Sequence, residues 1–154
     1  MNNMNGLNSK RIYFTIVIGC LVFMSHPIFA QSSILGKWKT IDDSSGKPRS
    51  VVEIYKNGDS YFGRIIEMYL EPHEDPDPIC EDCDPDDDRY NMKVLGMEIL
   101  RGAQKDDDEY VDGSILDPEN GKVYNCKLWI EDGDLKLRGY IAFFFRTQTW
   151  KKIE

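Results

Sequence analysis

Cys80-Glu81-Asp82-Cys83 is the densest piece of chemistry in the chain: two thiols three residues apart inside a segment, Glu71 to Asp88, that carries ten carboxylates. A Cys-x-x-Cys pair can exchange disulfides, close a small disulfide of its own, or supply half of a zinc site. Exchange requires a thiolate, and a thiolate requires positive potential or a helix N-terminus beside it. Glu81, Asp82 and Asp84 impose the opposite field, so redox catalysis is the weakest of the three readings. Cys126 is the other cysteine after residue 30. An odd set of three leaves two disulfides open, Cys80 with Cys83 or one loop cysteine with Cys126. Zinc held by Cys80, Cys83, Cys126 and His73 also satisfies a tetrahedral ligand count, provided that Cys126 faces the loop.

The same segment offers oxygen ligands. Asp84, Asp86 and Asp88 are spaced as at the start of a calcium loop, but Arg89 stands where an EF-hand needs Gly and Leu95 where it needs the bidentate Glu. A calcium site of another kind stays open, as does a solvated acidic loop that binds nothing. Enzymatic signals are thin. His73 is the one histidine after residue 30, and Gly-x-Ser-x-Gly, a phosphate-binding glycine loop and a helical zinc-protease motif are all missing. No catalytic residue is nominated, and carboxylate pairs of the glycosidase type cannot be singled out in so acidic a chain.

Lys10 and Arg11 precede an uncharged apolar run from Ile12 to Met24, and Pro27-Ile28-Phe29-Ala30 then offers a small residue at a cut before Gln31. That is the layout of a secretory signal peptide over residues 1–30. As a helix the apolar run would span only about 20 Å, short of the roughly 30 Å of a bilayer's hydrocarbon. A lipid anchor at Cys20 is disfavoured, because Leu21 to Met24 continue the apolar run past it. The expected location is the periplasm or the exterior, with no membrane span after cleavage. Loss of Lys10 and Arg11 takes the formal charge from −8 to −10. With no basic patch evident in the sequence, nucleic acid is excluded as a partner and an anionic membrane surface is disfavoured.

What must position these residues is a run of short strands. β-branched and aromatic stretches recur between turn signals over residues 31–154, a length suited to one domain. The expected strands are Ile34–Ile41, Val51–Tyr55, Tyr61–Leu70, Lys93–Leu100, Tyr110–Leu116, Lys122–Ile130, Leu135–Ile141 and Phe145–Ile153. Lys56-Asn57-Gly58-Asp59 and Glu131-Asp132-Gly133-Asp134 read as hairpin turns. Glu71 to Met92 is left as a long acidic loop, and Lys105 to Glu109 as an acidic tip. The fold class is all-β, an antiparallel meander of about eight strands that can pair its last strand with its first and close as a barrel. Periodicity alone leaves a two-sheet sandwich open.

In order along the chain, Gly36-Lys37-Trp38, Val51-Val52-Glu53-Ile54-Tyr55, Gly63-Arg64-Ile65, Leu95-Gly96-Met97, Asp117-Pro118-Glu119-Asn120-Gly121-Lys122-Val123-Tyr124, Leu137-Arg138-Gly139-Tyr140 and Arg146-Thr147-Gln148-Thr149-Trp150 together resemble the bacterial family called Domain of Unknown Function 2147. The resemblance implies a small exported protein with a barrel like those of the calycins, the superfamily that includes lipocalins. Gly36-Lys37-Trp38 is similar to the Gly-x-Trp of that superfamily, whose Trp closes one barrel end beneath a basic side chain of the final strand. By that resemblance Gly36, Trp38 and Arg146 form the closure. The pattern breaks at Phe143-Phe144-Phe145, where the family often has a Gly- and Leu-containing turn.

A barrel of this size is either filled by its own side chains or holds one small ligand. The leading expectation is a binding protein for a small, largely apolar ligand, with Tyr55, Phe62, Ile66, Met68, Leu128, Leu137 and Tyr140 as the candidate lining. The alternative is an envelope interaction or calcium-capture module acting through the acidic loop and the three phenylalanines. A hydrolase ranks last.

Overall fold

The computed structural model describes residues 33–153; the expected signal peptide and Cys20 lie outside them. Eight strands follow in chain order: β1 Gly36–Ile41, β2 Pro48–Asn57, β3 Ser60–Met68, β4 Glu98–Asp106, β5 Glu109–Asp117, β6 Lys122–Glu131, β7 Asp134–Ile141 and β8 Phe144–Ile153. Each pairs antiparallel with the next, and β8 pairs with β1 through Lys37↔Ile153, Trp38↔Lys152 and Lys39↔Lys151. The barrel is therefore closed, with no free edge, and it closes wholly within residues 36–153. That settles barrel against sandwich.

Local chemistry explains the short connections. Between β6 and β7 the chain reverses through Asp132 and Gly133, both at positive φ (53° and 82°), as a type I′ turn requires. Register shifts in the β2–β3, β3–β4 and β5–β6 pairings add the local bend that lets eight strands curl into a tube. β4 departs from expectation. It starts at Glu98 rather than Lys93 and runs through Gly102 to Asp106, because Gly102 (φ 74°) forms a kink within the strand instead of ending it. Residues 93–97 stay in the loop, held by Gly96 N–H donating to the Ile65 carbonyl and the Met97 carbonyl accepting from Ile65 N–H.

Because side chains alternate across a strand, the register sorts the residues into two faces. Trp38, Val52, Ile54, Tyr61, Leu100, Tyr110, Leu128, Leu135, Leu137 and Trp150 point inward and are buried. Trp38 and Trp150 plug the end of the barrel at the start of β1 and the end of β8, with Trp38 Nε1 donating to the Ile34 carbonyl at 2.7 Å. Tyr61 and Tyr110 meet edge to face at 4.7 Å in the same layer. At the opposite end lie the 42–47 loop, the long 69–97 loop, and the β5–β6 and β7–β8 turns.

The long loop is folded onto the barrel. Cys80, Cys83, Val94 and Met97 join the same buried cluster as Leu116, a β5 residue that the alternation turns outward. Arg49 of β2 ties the loop to the β5–β6 turn, pairing with Glu74 and with Glu119, each at 2.7 Å. Gly121 is where the two segments touch most closely: a Cβ built there would sit 1.7 Å from the Asp82 carbonyl oxygen, at a backbone φ of 67° that favours Gly in any case. Gly121→Ala is expected to cost about 3 kcal/mol through overpacking and backbone strain combined. Urea unfolding measures this, and a loss under about 1 kcal/mol would show that the loop yields there freely.

Candidate functional site

Of the pairings left open by spacing, the structure has the Cys80–Cys83 disulfide, with a Cα–Cα distance of 5.4 Å. The bond occupies two thiolates of the zinc set. Cys126 points into the barrel from β6, opposite Gly139, where burial pushes its thiol up to about 12. A neutral, enclosed thiol is neither nucleophile nor ligand at neutral pH. The zinc set is thus corrected: its cysteines do not converge.

The three aspartates of the calcium reading also diverge. Asp84 Oδ1 accepts the Asp86 backbone N–H at 2.9 Å, whereas Asp88 is held by Arg101 of β4 through Nη1 and Nη2, at 2.7 and 3.0 Å. Among the described residues no group of three or more His, Cys, Asp or Glu side chains is placed to hold a metal ion. Five of the ten carboxylates, Glu71, Glu74, Asp77, Asp87 and Asp88, form ion pairs that seat the loop. Asp87 receives the guanidinium of Arg89 in a fork, from Nε at 2.8 Å and Nη2 at 2.7 Å, while Arg89 Nη1 donates to the Glu98 carbonyl. Arg89 is 4% exposed, and its hydrogen bonds hold the Asp87 carboxyl well below the usual carboxylate range.

The candidate lining separates into three groups. Leu128 and Leu137 face each other inside the barrel and are fully packed, so they belong to the filled part of the interior. Met68 points inward opposite Ser50 and is half-buried. Tyr55, Phe62, Ile66 and Tyr140 do not line the interior. Tyr55 and Phe62 stack at 6.0 Å on the outer face, where Tyr55 Oη donates to Glu98 Oε2 at 2.5 Å; burial and that carboxylate push the phenol up to about 12. Ile66 falls at the register shift of β3, and Tyr140 lies outside, opposite Phe145. The physical reason is parity: a one-residue difference in register sends a side chain to the other face, and size and apolarity carry no parity.

Barrel closure needs a second correction. Arg146 does not lie over Trp38; its Nε donates to Asp43 Oδ2 at 2.7 Å near the far rim. The basic side chain over the Trp38 ring is Lys152, whose Nζ is 5.7 Å from the ring centroid. Lys152 is the registered partner of Trp38, and Arg146 lies six residues back along β8, roughly 20 Å away at the rise of a strand.

The end opposite the tryptophans has the character of a site. Thr40, Met68, Tyr124 and Gln148 point inward by register but are only half-buried, whereas residues on the same face nearer Trp38 are sealed. Thr40 Oγ1 and Ser50 Oγ share a hydrogen bond of 2.8 Å, and Gln148 Oε1 accepts from Trp150 Nε1 at 3.3 Å. Tyr124 also lines an open depression of about 550 Å³ beside the β5–β6 and β7–β8 turns, together with Lys122, Val123, Tyr140, Ile141 and Asp84. The depression and the half-open barrel end thus share one side chain. Thr40, Ser50, Tyr124 and Gln148 escape a search for apolar lining; the signal that finds them is alternation within their own strands, from Trp38 to Thr40, Val52 to Ser50, Leu128 to Tyr124 and Trp150 to Gln148.

Residues 36–152 match the family model described as an uncharacterized protein conserved in bacteria, DUF2147. No curated protein matches the chain. Among solved structures, a protein from the human pathogen Helicobacter pylori, described as belonging to the lipocalin family, superposes with a TM-score of 0.66 at 18% identity, over 79% of this chain and 84% of that one. At that identity the likeness concerns the fold, a lipocalin-like barrel.

The Asp87–Arg89 pair makes a pH-dependent prediction. Asp87→Asn leaves a buried guanidinium without its charge partner and is expected to cost about 2 kcal/mol at pH 7, since Asp87 itself is partly solvated. The folded-state pKa is depressed, so the pair's contribution is complete above the unfolded value of about 3.9 and fades as pH falls below it. Urea unfolding at neutral pH and near pH 3 should show the variant's deficit shrinking in acid; an equal deficit at both would remove the charge from the account.

Proposed function

The chain belongs to the DUF2147 family of bacterial proteins, and we propose that it is an exported binding protein that takes one small, largely apolar ligand at the open end of its lipocalin-like barrel. The observation that carries this reading is the contrast between the two ends. One is plugged by Trp38 and Trp150, whereas at the other the inward side chains stay half-exposed and one of them, Tyr124, also lines the depression. The depression, about 550 Å³ and open to solvent, would cover one side of a small organic ligand and leave the other side to the barrel mouth. Val123, Tyr124, Tyr140 and Ile141 would supply apolar contact, with Lys122 and Asp84 at the edge to orient a polar group. Gln148, Thr40 and Ser50 lie deeper, where a ligand's polar end would find hydrogen-bond partners.

Export is part of the proposal. It is supported by the signal-like layout of residues 1–30 and by the Cys80–Cys83 disulfide, which persists in an oxidising compartment. The domain proper would then be residues 31–154.

A fluorescent fatty-acid analogue is the probe that tests the reading. It should saturate at one site per protein, and Tyr124→Ala should weaken it by about tenfold through lost aromatic contact. Leu128→Ala tests the filled end: it should lower stability by about 3 kcal/mol yet leave the probe's affinity within about twofold when measured below the melting temperature. Binding that never saturates, or that ignores Tyr124, would overturn the proposal.

A further inference from the structure

The β7–β8 hairpin is built unlike the rest of the chain. From Leu135 to Ile153 it contains no Asp or Glu and five basic residues, in a protein whose formal charge is −8. Its turn, Ala142-Phe143, projects three consecutive phenylalanines, with Phe143 99%, Phe144 77% and Phe145 61% exposed. Ile141 and Val123 extend the exposed apolar surface beside them. The hairpin itself is regular, with Ile141 paired to Phe144 and Tyr140 to Phe145. The turn is made by Ala142 at a φ of 50°, a conformation that glycine adopts more readily.

Behind the aromatic tip lies a basic and aromatic belt on the outer face. Arg138 sits 4.5 Å from the Phe145 ring centroid and 5.1 Å from that of Trp129, and Lys127 lies 5.4 Å from Trp129. On that face Lys127 is paired with Glu109 and Lys136 more loosely with Glu131; Arg146, which register turns inward at the mouth, is paired with Asp43. Among the described residues no carboxylate pairs with Arg138 or Lys122. The acidic loop from Glu71 to Asp88 and the 42–47 loop, with Asp42 and Asp43, lie at this same end of the barrel, and Asp84 lines the adjacent depression.

We propose that the Phe143–Phe145 tip docks into the interfacial layer of an anionic phospholipid membrane, with Arg138 meeting the headgroup phosphates. Packing explains nothing at the tip, since Phe143 and Phe144 cover no core, and nearly fully exposed phenylalanines lose free energy to water unless something covers them. The charge pattern selects the cover: apolar and aromatic residues in front, Trp129 and cations behind, and no acid along the hairpin is the layering of a membrane interface. The geometry agrees. Arg138 is four residues from the turn, roughly 13 Å at the rise of a strand, so burying the phenylalanines to a depth of about 5–10 Å brings its guanidinium to the phosphate level. The acidic loop at the same end opposes an anionic surface, so the attraction has to come from the tip and Arg138, within the roughly 8 Å over which salt leaves charges unscreened.

Docking stands independently of the ligand reading, since Phe143, Phe144 and Arg138 do not line the depression. The test uses the protein beginning at Gln31, which contains the whole closed barrel, with vesicles of phosphatidylcholine alone or mixed with phosphatidylglycerol. Co-sedimentation is expected with the anionic vesicles, weaker by about tenfold on phosphatidylcholine alone or at high salt. The Phe143→Ser, Phe144→Ser double variant should bind anionic vesicles about tenfold more weakly. Its melting temperature and its affinity for the fatty-acid probe without vesicles should both be unchanged, which separates this inference from the ligand reading. Arg138→Gln should lose the preference for anionic lipid while keeping residual attachment through the tip. No binding to anionic vesicles, or equal binding by the double variant, would overturn the inference. So would a concentration-dependent dimer that the double variant abolishes, because a second copy would then be the cover.

Discussion

Three residue pairs between β1 and β8 turn eight strands into a barrel. Lys37↔Ile153, Trp38↔Lys152 and Lys39↔Lys151 join the ends of the sheet, and without them two edges of unpaired backbone groups would face solvent. Closure also creates an inside. Once β1 and β8 are paired, Trp38 and Trp150 are brought into one layer, and their indoles seal the tube at the end where both strands have their chain termini. Lys152 can lie over Trp38 only because the same pairing places it opposite.

The sealed end gives the molecule its polarity. With the volume there taken up by Trp, Leu and Tyr side chains, the openness of the barrel is confined to the other end, where Thr40, Met68, Tyr124 and Gln148 face inward without being covered. That end also carries the long loop and the phenylalanine hairpin. The loop achieves order despite its charge because Glu74, Asp87 and Asp88 pair with Arg49, Arg89 and Arg101, and because a disulfide and Gly121 let the chain pack tightly against the β5–β6 turn. An acidic composition that in isolation favours solvated chain is here part of the scaffold.

Much of this was legible along the chain. Turn residues such as Asp132-Gly133 and the alternation of Leu135, Leu137 and their neighbours mark strands by local rules, and the family resemblance added closure. The misreadings share one cause. β4 starts five residues later than expected, register puts Lys152 rather than Arg146 over Trp38, and Tyr55 and Phe62, for all their size, sit on the outer face. Each depends on counting residues across a bulge or along a partner strand, which no single segment records. The mouth residues were missed from the other side: Thr40, Ser50 and Gln148 are polar, and only their position on the inward face gives them interest.

By itself the sequence determined the all-β class, the strand number, the hairpin turns and the acidic loop, because turn chemistry and alternation are written in neighbouring residues. The tertiary structure alone decided which faces are inside, which cysteines are joined, which Lys lies over Trp38, and that one barrel end is filled while the other is open. It also decided where charge sits: the acid-free segment from Leu135 to Ile153 is a hairpin whose turn lies at the open end. These are relations between residues far apart in the chain, set by register and closure, and they come into being only when the last strand meets the first.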